Sequence, residues 1–281
     1  MPHALVLNSA SKANTTGGTF GDVLAANSGD SLAIANFING GARIVKMWGI
    51  DSDAVAELAL TDTRSDSVHD PQYGVRMNIP ALVPGGAALV GSHDLIDSPS
   101  NIPVYAGDTL VFTVTTTAGD DVLVSWMTEY DDLPGTFGQF ASWERVQALR
   151  ETTIGLRCAP VASGTPGLYG TARALNADDT RLTGGKYYAV LGWTLQTVAT
   201  TITIKGPSTG NNRVGLPGGA LTLDTTMDFV QLSKDFNKPL IPILNGYDAA
   251  SYFLECADGE ASTSPKVDLF MYQLSANPVG P

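Results

Sequence analysis

Paired aspartates are the side chains of this sequence whose type and spacing could bind a metal ion. They fall in turn-like segments, at Asp51 and Asp53 and again at Asp120 and Asp121. Carboxylate oxygens on loops are the ligands that Ca²⁺ prefers, although neither pair has the spacing of an EF-hand. Aspartate also favours turns because its side chain hydrogen-bonds to nearby backbone groups, so an ordinary structural explanation stays open. Calcium is therefore the one cofactor that the sequence suggests, with these four residues as candidate ligands.

The residue sets that carry out common enzymatic reactions do not occur in the sequence. It contains no GxSxG nucleophile motif, no P-loop, no GxGxxG dinucleotide motif and no HExxH zinc motif. The histidines His3, His69 and His93 lie in polar or terminal segments. An acid follows two of them, but sequence neighbours on an extended chain point to opposite faces. We predict no catalytic or cofactor-binding residue and expect a protein without enzymatic activity.

The charge and the cysteines restrict what the chain binds and where it is made. Lys and Arg number 16 against 28 Asp and Glu, a net charge of −12. Because nucleic acid is polyanionic, no direct nucleic-acid partner is expected. Cys158 and Cys256 belong to no zinc motif, and we predict that they are reduced core residues of a protein made in the cytoplasm. No segment approaches the roughly 20 apolar residues of a membrane span.

Short strands joined by turns dominate the pattern, in a chain with 30 Gly and 16 Pro. The clearest example is Thr109–Thr116, a turn at 118–121 and then Val122–Tyr130, which predicts a β-hairpin. The polar stretch 51–70 is interpreted as a long loop.

One segment near the middle of the chain has helical spacing instead. It covers about Trp143–Arg150, and Ser142 is placed to cap its first turn. Trp143, Val146 and Leu149 recur at intervals of three, so we expect them on one buried face. A helix here suits a connection between two units.

The sequence contains a partial repeat. PGGAALV at 84–90 matches PGGALTL at 217–223, and further landmarks follow the same order in both halves. The matched segments are DSLAIANF with KYYAVLGW, RIVKMWG with TITIKG, NIPVYAGD with NKPLIPILNG, VLVSWMTEY with VDLFMYQL, and ALVLNSAS with IGLRCAPVAS. The order predicts one β-domain at 1–134, a connecting segment with the helix at 135–152, and a second β-domain at 153–281. A single large sandwich without a repeat is the alternative.

Each half has about eight short strands, with turn signals every 8–12 residues, a spacing typical of a β-sandwich or barrel. The predicted fold class is all-β, with two tandem eight-stranded jelly-roll β-sandwiches and a short connecting helix. An immunoglobulin-type sandwich is the alternative, but its Cys…Trp…Cys spacing is missing.

A chain with two such rolls in tandem and no catalytic set resembles the double jelly-roll major capsid proteins of tailless icosahedral viruses, especially those of membrane-containing bacteriophages such as the corticovirus group. The resemblance rests on PGGAALV and PGGALTL with their flanks, and on the helix SWERVQALRE between them. It covers nearly the whole chain.

The resemblance implies a structural protein of the virion, assembled in the host cytoplasm. Three chains would form a homotrimer with a near-sixfold outline that tiles an icosahedral capsid beside neighbouring capsomers. Penton proteins, minor capsid proteins and an internal lipid membrane are the further partners it implies. The competing hypothesis is a carbohydrate-binding or adhesin sandwich, such as a phage fibre or host-attachment protein, which would also be all-β and free of catalytic motifs.

Overall fold

A computed structural model of the chain describes residues 3–18, 20–37, 40–51, 56–61, 75–79, 93–96, 102–134, 138–161, 163, 168–195, 199, 201–217, 225–226, 228–257 and 265–279. Strands dominate these residues and pair into several antiparallel sheets, so the all-β prediction is confirmed.

The described residues of the first half form ten strands: β1 (Ala4–Lys12), β2 (Asp22–Val23), β3 (Ala25–Ala26), β4 (Ala42–Asp51), β5 (Ala56–Thr61), β6 (Val75–Ile79), β7 (His93–Ile96), β8 (Ile102–Val104), β9 (Val111–Thr115) and β10 (Val122–Tyr130). The first large sheet has the order β3-β1-β10-β4-β7, with β8 also paired to β4. The first small sheet has the order β2-β9-β5-β6.

In the second half, the residues that the structure describes form another ten: β11 (Phe140–Ala141), β12 (Arg150–Cys158), β13 (Arg173–Ala174), β14 (Tyr187–Leu195), β15 (Thr201–Lys205), β16 (Val214–Pro217), β17 (Thr225–Thr226), β18 (Ile241–Asn245), β19 (Phe253–Ala257) and β20 (Val267–Leu274). The second large sheet has the order β11-β18-β14-β20-β12, with β17 also paired to β14. The second small sheet has the order β13-β19-β15-β16.

The sheets of the two halves share one strand order. In the large sheets, β12, β20, β14 and β18 take the places of β1, β10, β4 and β8; in the small sheets, β13, β19, β15 and β16 take those of β2, β9, β5 and β6. This order changes two of the predicted matches. RIVKMWG lies in β4 and corresponds to YYAVLGW in β14, whereas TITIK is β15 and corresponds to β5. Pro217 ends β16, and Pro84 lies outside the described residues.

The predicted hairpin at 109–130 is wrong. β9 pairs with β2 and β5 in the first small sheet, whereas β10 pairs with β1 and β4 in the first large sheet. Both segments are strands, but the turn at Gly119, where φ is +93°, carries the chain from one sheet to the other. The residue pattern of each strand is the same in either arrangement, so it does not reveal which one forms.

The predicted long loop at 51–70 contains β5, a central strand of the first small sheet. Ala56, Leu58 and Leu60 alternate along it and belong to the buried core of the first half. The acidic residues on both sides conceal this short alternation in the sequence.

The predicted middle helix is confirmed as α1 (Trp143–Leu149), and the Ser142 hydroxyl accepts a hydrogen bond from the Arg145 amide. Val146 is fully buried, whereas Trp143 and Leu149 are half-buried against the same core. β12 begins directly after the helix, within the predicted connecting segment.

A second helix, α2 (Asp228–Phe236), has no counterpart among the predictions. Its Phe229 packs edge-on against Trp193 with ring centroids 5.8 Å apart. Neither α-helix in the described part of the chain has the length and apolarity required to cross a membrane. Cys158 and Cys256 are buried in the core of the second half, as predicted, and form no disulfide bond.

Candidate functional site: the seam between the halves

The two halves contact each other along the outer face of the first large sheet, and we call this contact the seam. Leu5, Leu7, Trp48 and Met127 on that face belong to the same buried cluster as the core of the second half. A backbone hydrogen bond of 2.9 Å from the amide of Leu7 to the carbonyl of Arg213 joins β1 to the segment before β16. Every residue of β10 is consequently buried, on both faces of its sheet.

A chain of buried hydrogen bonds crosses the middle of the seam. The Trp48 indole nitrogen donates to the Thr201 hydroxyl at 2.9 Å, and that hydroxyl is 2.8 Å from the hydroxyl of Ser125. Ser125 in turn bonds to Ser9 at 2.9 Å, and Ser9 bonds to the Tyr169 hydroxyl at 2.9 Å. Thr201 and Tyr169 belong to the second half and the other three residues to the first. A buried polar group without a partner is costly, so this row of hydrogen bonds favours a single alignment of the two halves.

An ion pair lies beside these hydrogen bonds. The Asp30 carboxylate, 2% exposed, accepts from the Arg213 guanidinium at 2.8 Å and from the Ser9 amide at 2.9 Å. Arg213 also binds Glu255 at 2.7 Å and stacks 4.0 Å from the Tyr169 ring centroid. Burial raises the pKa of Asp30 to about 6, although the positive charge of Arg213 opposes that rise. The carboxylate therefore takes up a proton more readily than an ordinary aspartate.

A second set of charges pairs a buried acid of the first half with a cation of the second. Glu129 is fully buried, and its carboxylate lies 2.6 Å from the Lys238 ammonium and 2.8 Å from Nε of Arg43. Lys238 also contacts Asp131 at 2.5 Å, and His3 Nδ1 lies 3.5 Å from Glu129. Burial raises the pKa of Glu129 and, with Lys238 nearby, lowers the pKa of His3 to about 4. His3 is therefore neutral at pH 7.

His3, Glu129 and Asp131 also place three potential metal ligands within 4.8 Å of one another. Both carboxylates are already neutralised by Lys238 and Arg43, and a divalent cation at this position would be repelled by the same two charges. We therefore interpret this cluster as an ion-pair network, not as a metal centre.

Of the four aspartates predicted as calcium ligands, the structure describes the side chains of Asp120 and Asp121. Asp120 and Asp121 are in the turn before β10, where their side chains accept from the Thr116 hydroxyl at 3.1 Å and from the Asn14 amide at 2.9 Å. The backbone of Asp51 ends β4, and Asp53 lies outside the described residues. These hydrogen bonds account for the two described side chains, and calcium at these residues stays a prediction.

Sequence reasoning missed the residues that form the seam. Asp30 and Glu129 were single acids in otherwise ordinary segments, and their cations Arg213 and Lys238 lie more than 100 residues away. His3 was interpreted as a terminal residue, whereas it contacts a buried carboxylate. Only the acid within the apolar strand VLVSWMTEY offered a signal, because an ionised side chain in a buried strand requires a partner.

Two sheet faces have no counterpart of the seam. On β20, core residues alternate with half-buried ones, whereas the corresponding β10 is buried throughout. The half-buried Tyr272 is covered by Trp143 of α1, with ring centroids 6.1 Å apart, and Phe270 lies beyond this contact. On the first small sheet, the paired Ala59 and Thr113 face away from the core of the first half, yet both are buried, with exposures of 0% and 3%, and the guanidinium of Arg76 lies 5.0 Å from the Phe20 ring. The outer faces of the second large sheet and of the first small sheet are the ones that the seam does not use.

No protein-family model matches the chain, and no curated protein shows significant similarity to it.

Proposed function

We propose that this chain is a structural tile of a viral shell, a capsid protein whose trimers have a near-sixfold outline, and that each half is an eight-stranded jelly roll. The strand order supports the roll. Counting only the eight strands common to both halves, the sheets have the orders 1-8-3-6 and 2-7-4-5. In such a roll the strands alternate between two sheets that pack face to face, so each sheet has one outer face.

The observation that carries the proposal is that the seam joins the outer face of a small sheet to the outer face of a large sheet. Inside the chain, the second small sheet covers the first large sheet, as the bond from Trp48 in β4 to Thr201 in β15 illustrates. The outer faces that the seam does not use belong to the first small sheet, where Ala59 and Thr113 are already buried, and to the second large sheet, where Phe270 is half-buried. The same kind of contact can therefore be repeated from chain to chain, and a head-to-tail contact that closes forms a ring. Three chains of two rolls make a ring of six.

The outer face of the second large sheet, which we call the open face, carries a residue pair similar to one in the seam. In the seam, Ser125 on β10 is paired with Trp48 on β4. On the open face, Phe270 on β20 is paired with Gly192 on β14. Each sheet thus presents one aromatic ring beside one small residue. The ring is on β4 in the seam, whereas on the open face it is on β20, the strand that corresponds to β10. We infer that Phe270 is the centre of the contact between chains.

The test replaces that ring by a charge. Phe270→Asp places a carboxylate in the proposed contact, which should bury at least about 1,000 Å² if it is stable. Val161→Asp is the control, because Val161 is 45% exposed and lies outside the sheets. Sedimentation velocity and electron microscopy should show trimers and arrays for the wild type and the control, and monomers of unchanged thermal stability for Phe270→Asp.

Assembly should also strengthen with added salt or Ca²⁺, because each chain carries a net charge of −12. A wild-type protein that remains monomeric well above micromolar concentration at every salt and calcium concentration would contradict the tile. If that monomer bound glycans, the carbohydrate-binding sandwich would be the better account.

A further inference from the structure

A cavity of about 270 Å³ opens where the seam reaches the surface, and both halves line it. The first half contributes β1 and the segment 29–35, and the second half contributes Lys205 and the segment 211–213. Ligand sites are common at such junctions between domains. The cavity belongs to neither open sheet face, so what it binds is independent of the proposed tile.

The polar lining is rich in amides and contains one uncommitted cation. Asn8, Asn211 and Asn212 line the cavity together with Lys205. The Asn8 carbonyl oxygen accepts from the Ser31 amide at 3.0 Å, which leaves its amide nitrogen available. The Lys205 ammonium forms no ion pair or hydrogen bond with any of the described residues. Carboxamides both donate and accept hydrogen bonds, as sugar hydroxyls do.

The loop that carries two of these amides is held in place before any ligand binds. Its backbone is bonded internally, from the Asn211 amide to the Gly206 carbonyl at 2.9 Å and from the Asn212 amide to the Thr209 carbonyl at 3.2 Å. Asn211 has φ of +60°, a left-handed conformation that asparagine tolerates better than most residues. A rigid loop presents its side chains without an ordering cost on binding.

The remaining walls are one compensated ion pair and an apolar strip. Asp30 lines the cavity, but its carboxylate is held by Arg213, so it adds little negative charge. Val6, Tyr130 and Leu133 provide the apolar side. The cavity therefore combines an apolar wall, several amides and a single free positive charge.

We propose that this cavity binds one sugar ring that carries a carboxylate, the chemistry of a hexuronic acid. The ring hydroxyls would be bonded by the asparagine amides, the carboxylate by Lys205, and the apolar face of the ring would lie on the strip that contains Tyr130. A cavity of about 270 Å³ accommodates one such ring. Because both halves contact the ligand, binding also stabilises the seam.

The experiment titrates glucuronate into the full-length protein, with saturation-transfer NMR and thermal unfolding as readouts. Glucose and acetate are the comparison probes, since each offers only half of the proposed chemistry. We expect glucuronate to bind and to raise the melting temperature, and each comparison probe to bind at least about tenfold more weakly. Equal binding of glucose or of acetate, or no binding of glucuronate at tens of millimolar, overturns the proposal.

Two variants test the assignment to this cavity. Lys205→Gln should weaken glucuronate binding about tenfold without changing glucose binding, while Lys234→Gln on the exposed side of α2 should change neither. Asn211→Gly keeps the backbone conformation and removes the amide, so it should weaken both sugars. Phe270→Asp should bind glucuronate as the wild type does, even if it no longer assembles. Unchanged binding in both cavity variants would contradict the site and leave the tile untouched.

Discussion

The pH dependence of folding should reveal two buried seam groups that act in opposite directions. Burial lowers the pKa of His3 from 6.5 to about 4, so between these values the unfolded chain binds more protons at this residue. Its contribution to stability is complete above pH 6.5 and is lost as the pH falls towards 4. Burial raises the pKa of Asp30 from 3.8 to about 6, so here the folded chain binds more protons. The stability from Asp30 therefore grows as the pH falls from 6 towards 3.8.

The two contributions have similar size. A difference of one in pKa corresponds to about 1.4 kcal/mol, which gives about 3 kcal/mol for each group. Both side chains are largely shielded from solvent, with exposed fractions of 15% for His3 and 2% for Asp30. Between pH 7 and 4 the two effects nearly cancel in the wild type, so the pH profile of the wild type alone does not reveal either group.

Urea unfolding of two variants at pH 7, 6, 5 and 4 separates them. Asp30→Asn should lose about 3 kcal/mol relative to the wild type on going from pH 7 to pH 4, whatever its stability at pH 7. His3→Gln should gain a similar amount over the same range. The opposite slopes are the diagnostic result, because a general loss of packing would displace a profile without tilting it. Profiles of both variants that run parallel to the wild type would refute the reasoning.

Three further predictions concern the core and the seam. Val146→Asp should lower the melting temperature by several degrees, because Val146 is fully buried, whereas Gln147→Asp on the exposed side of α1 should not. Thr201→Val should cost about 1–3 kcal/mol in urea unfolding because it leaves the Trp48 indole N–H without its acceptor and removes one of the two hydroxyls bonded to Ser125, whereas Thr203→Val should be nearly neutral, since the buried Thr203 hydroxyl has no hydrogen-bond partner among the described residues; equal losses would exclude the hydrogen-bond chain as the cause. Labelling in denaturant without reductant should find two free thiols per chain, and in the native protein Cys158 should react slowly at pH 8, because burial raises its pKa to about 12; a chain without free thiols would contradict this.

Local patterns in the sequence predicted local structure well. Ser142 followed by apolar residues at intervals of three marked α1, because a helix cap and a helical stripe are properties of one short segment. The runs of apolar and β-branched residues before and after Gly119 marked two strands correctly for the same reason. Their pairing was predicted wrongly, since a turn between two strands fits a hairpin and a crossover between sheets equally well. The strand β5 was missed because only six residues, flanked by acids, carry its alternation.

The seam could not be predicted because its partners are distant in sequence. Trp48 and Thr201 are 153 residues apart, and Asp30 and Arg213 are 183 apart. Nothing in the composition of either segment identifies the other. The predicted aspartate pairs are conspicuous because the two acids are neighbours in the sequence, and at 120–121 they accept from Thr116 and Asn14.

The difference between the seam and the open face bears on the proposed tile. The seam buries Glu129 and Asp30 with cations from the other half, so removing either cation would leave an uncompensated buried charge, at a cost of about 3–5 kcal/mol. The open face of the second large sheet has a partly exposed pair instead, between Asp268 and Arg157, around the ring of Phe270. Partly exposed pairs contribute little to stability and are screened by salt. We infer that the contact within the chain is permanent and that the contact between chains is reversible. A shell that corrects errors during assembly requires this combination of a fixed unit and weaker joints.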